Sequence, residues 1–198
     1  SNENRNIILD VVKKTSQNCF VPLTVGGGVR TLSDISNLLN SGADKVSINT
    51  AAVMDTSIIE KGAQKFGSQC IVVAIDAKKI DSNNWEVFTH GGRKPSGKNV
   101  MSYVKEAEKK GAGEILLTSM DRDGTKKGYD IDLIKSVTNS IKIPVIASGG
   151  VGKLEHLYEG LQTGKASAVL AASVFHFGEF SIKQVKEYLK SMKLSVRS

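Results

Sequence analysis

The sequence predicts an α/β protein: a single βα-barrel domain over all 198 residues, built as a parallel (βα)8 barrel of which six strand–helix units are present. Three observations carry this expectation. Short, nearly continuous apolar runs alternate with amphipathic stretches, which is how strands buried on both faces of a parallel sheet read. The units recur at roughly 25–35 residues, enough for a strand, a crossover helix and two short loops. Finally, Pro22-Leu-Thr-Val-Gly-Gly-Gly-Val29 returns 122 residues later as Pro144-Val-Ile-Ala-Ser-Gly-Gly-Val151, an internal repeat of one supersecondary unit.

The elements follow in order. Ile7-Ile8 and Val11-Val12 recur at helical spacing, and 21–25 is an apolar strand that runs into Gly26-Gly27-Gly28. Residues 31–40 form a helix, with Thr31 as N-cap and Gly42 as the stop. Strand 45–48, helix 57–66 and strand 71–75 come next, then a small polar strand pair at 84–90 turning at Gly91-Gly92. Helix 100–109, strand 114–118, helix 131–140 and strand 144–147 follow. Helix 154–162, strand 168–171 and a last helix at 182–189 close the chain.

The repeat sharpens the architecture. Ser47-Ile-Asn-Thr50 ends the second strand of the first copy, and Leu170-Ala-Ala-Ser173 ends the matching strand of the second. Two such quarters separated by two further units describe a barrel of two four-unit halves. The first-half counterparts of strands 71–75 and 114–118 would then precede residue 1. The expectation is a barrel lacking its first two strands and the helix between them, on the order of fifty residues. A sheet opened in this way carries two unpaired edges. No G-x-G-x-x-G follows a strand, which disfavours a dinucleotide fold.

Composition excludes several classes. With 40% apolar and 24% charged residues the chain is neither disordered nor collagenous. No apolar run reaches membrane-spanning length, and no charged-then-apolar leader opens the sequence. Cys19 and Cys70 lack metal-ligand spacing and read as small core residues of a reduced, cytoplasmic protein. The net charge of +7 favours anionic partners. Its basic residues come in scattered pairs, however, as solvated surfaces usually carry them.

The chemistry gathers at strand C-termini, where parallel βα folds bind ligands. Gly28 and Gly150 let backbone N–H groups approach an anion, while Asn49-Thr50 and Ala172-Ser173 stand before helix starts. One Gly-Gly is only a tight turn. Two matched sets at one internal period read as two phosphate cradles, and so as a ligand with two phosphates. Asp76 closes the apolar run Ile71-Val-Val-Ala-Ile75, and such a wall raises a carboxyl pKa toward acid–base use. Asp123 and Gly124, in Asp121-Arg-Asp-Gly-Thr125, read as loop-ordering or phosphate-proximal groups. His90, His156 and His176 share no ligand spacing and read as structural; neither metal nor cofactor is expected.

Longer motifs add a resemblance. Val25-Gly-Gly-Gly-Val-Arg30, Gly42-Ala-Asp-Lys-Val-Ser-Ile-Asn-Thr50, Phe66-Gly-Ser-Gln69 and Val73-Ala-Ile-Asp-Ala-Lys78 resemble the cyclase subunit of imidazole glycerol phosphate synthase. So do Gly113-Glu-Ile-Leu-Leu-Thr-Ser119, Asp121-Arg-Asp-Gly-Thr125, Gly128-Tyr-Asp130, Ala147-Ser-Gly-Gly150 and Leu170-Ala-Ala-Ser-Val-Phe-His-Phe177. The resemblance implies a lyase of histidine biosynthesis. Such an enzyme takes ammonia from a glutaminase partner in a heterodimer and acts on a phosphoribulosyl-formimino aminoimidazole carboxamide ribotide. It releases imidazole glycerol phosphate and aminoimidazole carboxamide ribotide. Asp76 would be one of two catalytic aspartates. Gly28, Asn49 and Thr50 would fall on one phosphate site, and Asp123, Gly124, Gly150, Ala172 and Ser173 on the other. Thr118 and Ser148 would line the mouth, and Lys45 and Glu114 would belong to the charged ring at the ammonia entrance. The family's first strand, with the other aspartate, and the lysine loop after it have no counterpart here. The resemblance therefore implies that this stretch alone is inactive or nearly so.

Two other readings stand beside it. The sister isomerase of the pathway shares the half-barrel repeat and both cradles, but usually carries Gly-Thr where Asn49-Thr50 stands. A basic nucleic-acid-binding module is the alternative from another class; no binding motif or aromatic-interleaved basic stripe supports it.

Overall fold

The computed structural model describes residues 2–197, with side chains from residue 8 onward. Helix α1 (Asn2–Ser16) leads into strand β1 (Thr24–Gly26) and helix α2 (Leu32–Asn40). Strand β2 (Lys45–Ile48), helices α3 (Thr50–Met54) and α4 (Ser57–Phe66) and strand β3 (Ile71–Asp81) follow. An insertion forms strands β4 (Asn84–Thr89) and β5 (Lys94–Asn99). Helix α5 (Val100–Lys109), strand β6 (Glu114–Ser119) and helix α6 (Ile131–Thr138) come next. The chain ends with β7 (Val145–Ser148), α7 (Leu154–Gln162), β8 (Ala168–Leu170), α8 (Ser173–His176) and α9 (Ile182–Ser191).

The main path of the sheet is β1-β2-β3-β6-β7-β8, every pair parallel and in sequence order. Thr24 and Gly26 of the first strand line the same cavity as Leu170 of the last, so the sheet curls until its ends face one concavity. This is the wall of a (βα)8 barrel with six strands in place. Among the described strands β1 and β8 are not paired with each other, and the barrel is open there.

The openness shows in the side chains. Strand residues alternate between faces, and those turned toward the helices are dry: Val46, Ile48, Val73, Ile75 and Ile115 are fully buried. Residues of the concave face, such as Ser47, Ala74, Leu116 and Ile146, are only half-buried, and Leu170 remains 39% exposed. Burying a Val, Leu or Ile side chain stabilises by about 1.5–3 kcal/mol, so the sheet–helix layer holds the fold together. Local signals agree with it. Thr31 and Asp34 form a reciprocal capping box at α2, and Ser181 and Gln184 form another at α9.

Two expectations need correction. The insertion is not a strand pair within 84–90. β3 runs on to Asp81, past the apolar run, and pairs antiparallel with β4, which pairs in turn with β5 across the turn at Gly91-Gly92. Once β3 leaves the barrel wall, period-2 alternation with polar residues replaces the apolar run, and a reading of apolar runs stops at Ile75. The cysteines are not core residues either. Both are half-buried thiols, and Cys19 Sγ lies 3.3 Å from the Val21 carbonyl.

Candidate functional site

The first Gly loop leaves β1 with Gly27 at φ 99° and Gly28 at φ 70°. A Cβ at either would meet nothing within 4 Å, so the backbone itself is open to the cavity. The next strand ends at Ile48, and the chain turns at once through Asn49 into α3, whose first residue is Thr50. Gly26, Gly27, Gly28, Asn49 and Thr50 line one cavity of about 1080 Å³ on the concave side of the sheet.

Across the repeat, β7 delivers Gly149 at φ 96° and Gly150 at φ 106°, while β8 delivers Ala172 and then α8 from Ser173. Here the glycine is required by packing. A Cβ on Gly150 would stand 2.3 Å from the Gly128 carbonyl oxygen, and the Gly128 N–H donates to the Gly150 carbonyl at 2.7 Å. The loop holding Asp123 and Gly124 is thereby braced against this one. The Gly152 N–H donates to His156 Nδ1 at 3.1 Å, which gives His156 the structural role expected of it. Lys126 reaches Glu179 at 2.5 Å and clasps the same loop to the segment after β8. Ala172, Ser173 and Gly124 are exposed, and none of these residues lines the large cavity.

Between the two loops stand β3 and β6. Asp76 and Thr118 face each other in register near their C-terminal ends. With Asp123, Met120, Gly91 and Gly92 they line a second cavity of about 350 Å³. Burial raises the Asp76 carboxyl above its ordinary value, the Asn49 side-chain N–H donated to Oδ2 at 3.0 Å lowers it, and the Asp123 charge raises it again. Burial dominates. Ser148 closes β7 opposite Thr118 in the register.

At the other end of the strands, Lys45 opens β2 and Glu114 opens β6, and their side chains pair directly, spanning β3. Both are half-buried.

The sequence reading missed two parts of this arrangement. One is the hairpin tip: the His90 N–H donates to Thr50 Oγ1 at 3.0 Å, and Gly91 borders both cavities. The Gly91-Gly92 pair marked that turn, but local sequence carries no signal of where it docks. The other is that the helix starts expected at Asn49-Thr50 and Ala172-Ser173 belong to separate, very short helices, α3 from Thr50 and α8 from Ser173, whose amphipathic period is too brief to read. Each adds helix-start N–H groups at a strand end.

Among the described residues no group of three His, Cys, Asp or Glu side chains is placed to hold a metal ion. No described helix is long and apolar enough to cross a membrane. A family model described as histidine biosynthesis protein matches residues 1–181, most of the chain and all of the sheet. A parallel half-barrel with paired Gly loops at its strand C-termini, matched over that length, places the chain in the histidine biosynthesis protein family of βα-barrel enzymes.

Proposed function

We propose that this chain carries the ring-closing chemistry of imidazole glycerol phosphate synthase, using ammonia from a glutaminase partner to form imidazole glycerol phosphate. The observation that carries the reading is Asp76, a carboxylate in a small cavity between the two Gly loops, held by Asn49 rather than by the Gly-Thr of the sister isomerase. The two loops bind the two phosphates of the substrate through backbone N–H groups and the starts of α3 and α8. Binding at both ends fixes the reacting centre over Asp76. Ring closure needs one proton removed and another delivered to a leaving group, and Asp76 performs one half of that exchange. The second carboxylate is the aspartate that the resemblance puts on the family's first strand, with Asp123 close to Asp76 at the mouth. The Lys45–Glu114 pair, at the opposite end of the strands, belongs to the ring through which ammonia enters.

The test uses the chain joined to the two strands that complete the barrel. With saturating ammonium in place of the glutaminase, turnover is followed at the imidazole product. Asp76→Asn is expected to lower kcat by about 10²–10⁴ and to leave KM nearly unchanged, because the phosphates supply most of the binding. Isomerisation of the ribosyl precursor without ammonia would instead make this the isomerase. Tight, salt-dependent binding of duplex DNA with no turnover would favour the nucleic-acid reading.

A further inference from the structure

Asn49 occupies an unusual position. It follows the last residue of β2 and stands at the N-cap of α3, yet its side chain makes no capping bond and its backbone lies at φ −113°, ψ −96°. Its Nδ2 donates to Asp76 Oδ2 at 3.0 Å. Its Oδ1 is buried and receives no donor. A buried carbonyl without a donor costs stability. The site therefore holds a side chain whose one satisfied group points at the candidate acid–base residue.

We infer that Asn49 is the positioning residue of Asp76, fixing its carboxylate through the side-chain amide bond, rather than a side-chain ligand of the phosphate. The inference deepens the proposed function and rests on it only for the kinetic arm of its test. A donated N–H lowers the proton affinity of a carboxylate and limits it to one orientation. Asp76 needs both, because burial and the Asp123 charge push it toward the neutral acid. The other ionisable groups lining the two cavities are Asp123, His90 and Arg30. Arg30 comes from the first Gly loop and His90 from the hairpin tip, so neither replaces the amide at the end of β2.

The experiment compares this chain with its Asn49→Leu variant, which keeps the bulk and removes both amide atoms. The Asp76 carboxyl ¹³C signal is titrated by NMR, and urea unfolding is measured on the same samples. The titration of Asp76 is expected to move to higher pH, and stability is expected to fall at neutral pH but much less in acid, where Asp76 is protonated in both proteins. Inorganic phosphate affinity, measured in parallel, is expected to stay within twofold of the parent (about 0.4 kcal/mol). In the completed barrel kcat falls about tenfold, less than for loss of Asp76 itself, and the acid limb of its pH profile moves upward. An unmoved Asp76 titration with lowered stability makes Asn49 a structural residue and overturns the inference. An unmoved titration with a phosphate affinity reduced tenfold makes it a phosphate ligand, which overturns it too. Should the barrel lack turnover altogether, the titration still decides, since it needs no substrate.

Discussion

Replacing Gly150 by alanine tests whether the second Gly loop is a braced wall or an open turn. At φ 106° the residue lies beyond the left-handed helical well, where a Cβ costs about 1–2 kcal/mol or more. The added Cβ would also meet the Gly128 carbonyl oxygen at 2.3 Å and Arg122 Cβ at 3.0 Å. Backbone oxygen cannot rotate away as a side-chain tip can, so the loop carrying Asp123 must shift as well. Overpacking of that kind adds about 1–3 kcal/mol, and the sum is about 2–5 kcal/mol. Gly28 is the control. Its φ is 70° and its Cβ would meet nothing within 4 Å, so Gly28→Ala carries the backbone cost alone, about 1–2 kcal/mol. The assay is urea unfolding followed by Trp85, the only tryptophan and one that is buried; slopes must match so that midpoints report stability. Equal losses for the two variants would refute the packing argument.

Asp76→Asn is expected to stabilise the protein at pH 7. Burial raises the carboxyl in the folded state, so its contribution is full below the unfolded value of 3.8 and is lost as pH rises through the folded value. Urea midpoints of variant and parent should therefore converge in acid and separate at neutral pH; the opposite trend would reverse the sign of the shift. Trp85→Phe removes the Nε1–H bond to buried Asp130 Oδ2 and is expected to cost about 1–3 kcal/mol by circular dichroism melting. Thr31→Ala opens the α2 capping box and is expected to cost about 1 kcal/mol in urea, read at Trp85.

Much of this fold was legible because every barrel strand reads as an apolar run, and β1 and β2 are read a second time in their echoes β7 and β8, 122 residues away. Helices α4, α5 and α7 begin and end where their apolar period places them. β3 was read too short because its last residues leave the barrel and pair only with β4, a contact that no local pattern encodes. The site divides similarly. Asp76 is visible as a polar full stop to an apolar strand. Its closeness to Asp123 and its bond from Asn49 depend on three loops meeting, and residue types alone do not reveal that. Gly28 and Gly150 look interchangeable in sequence; only the packing around them separates an open turn from a locked one.

The bond from the hairpin tip to Thr50 also sets the direction of a dipole. A threonine hydroxyl has one proton and two lone pairs, and the His90 N–H takes one of the lone pairs. That leaves the proton free to turn outward, and the hydroxyl becomes polarised toward whatever acceptor enters beside the first Gly loop. An insertion distant in sequence thus occupies one acceptor site of this hydroxyl and leaves its proton and second lone pair for other partners. Lengthening or shortening the hairpin would carry the His90 N–H away from Thr50 and release that lone pair without touching any residue of the barrel wall.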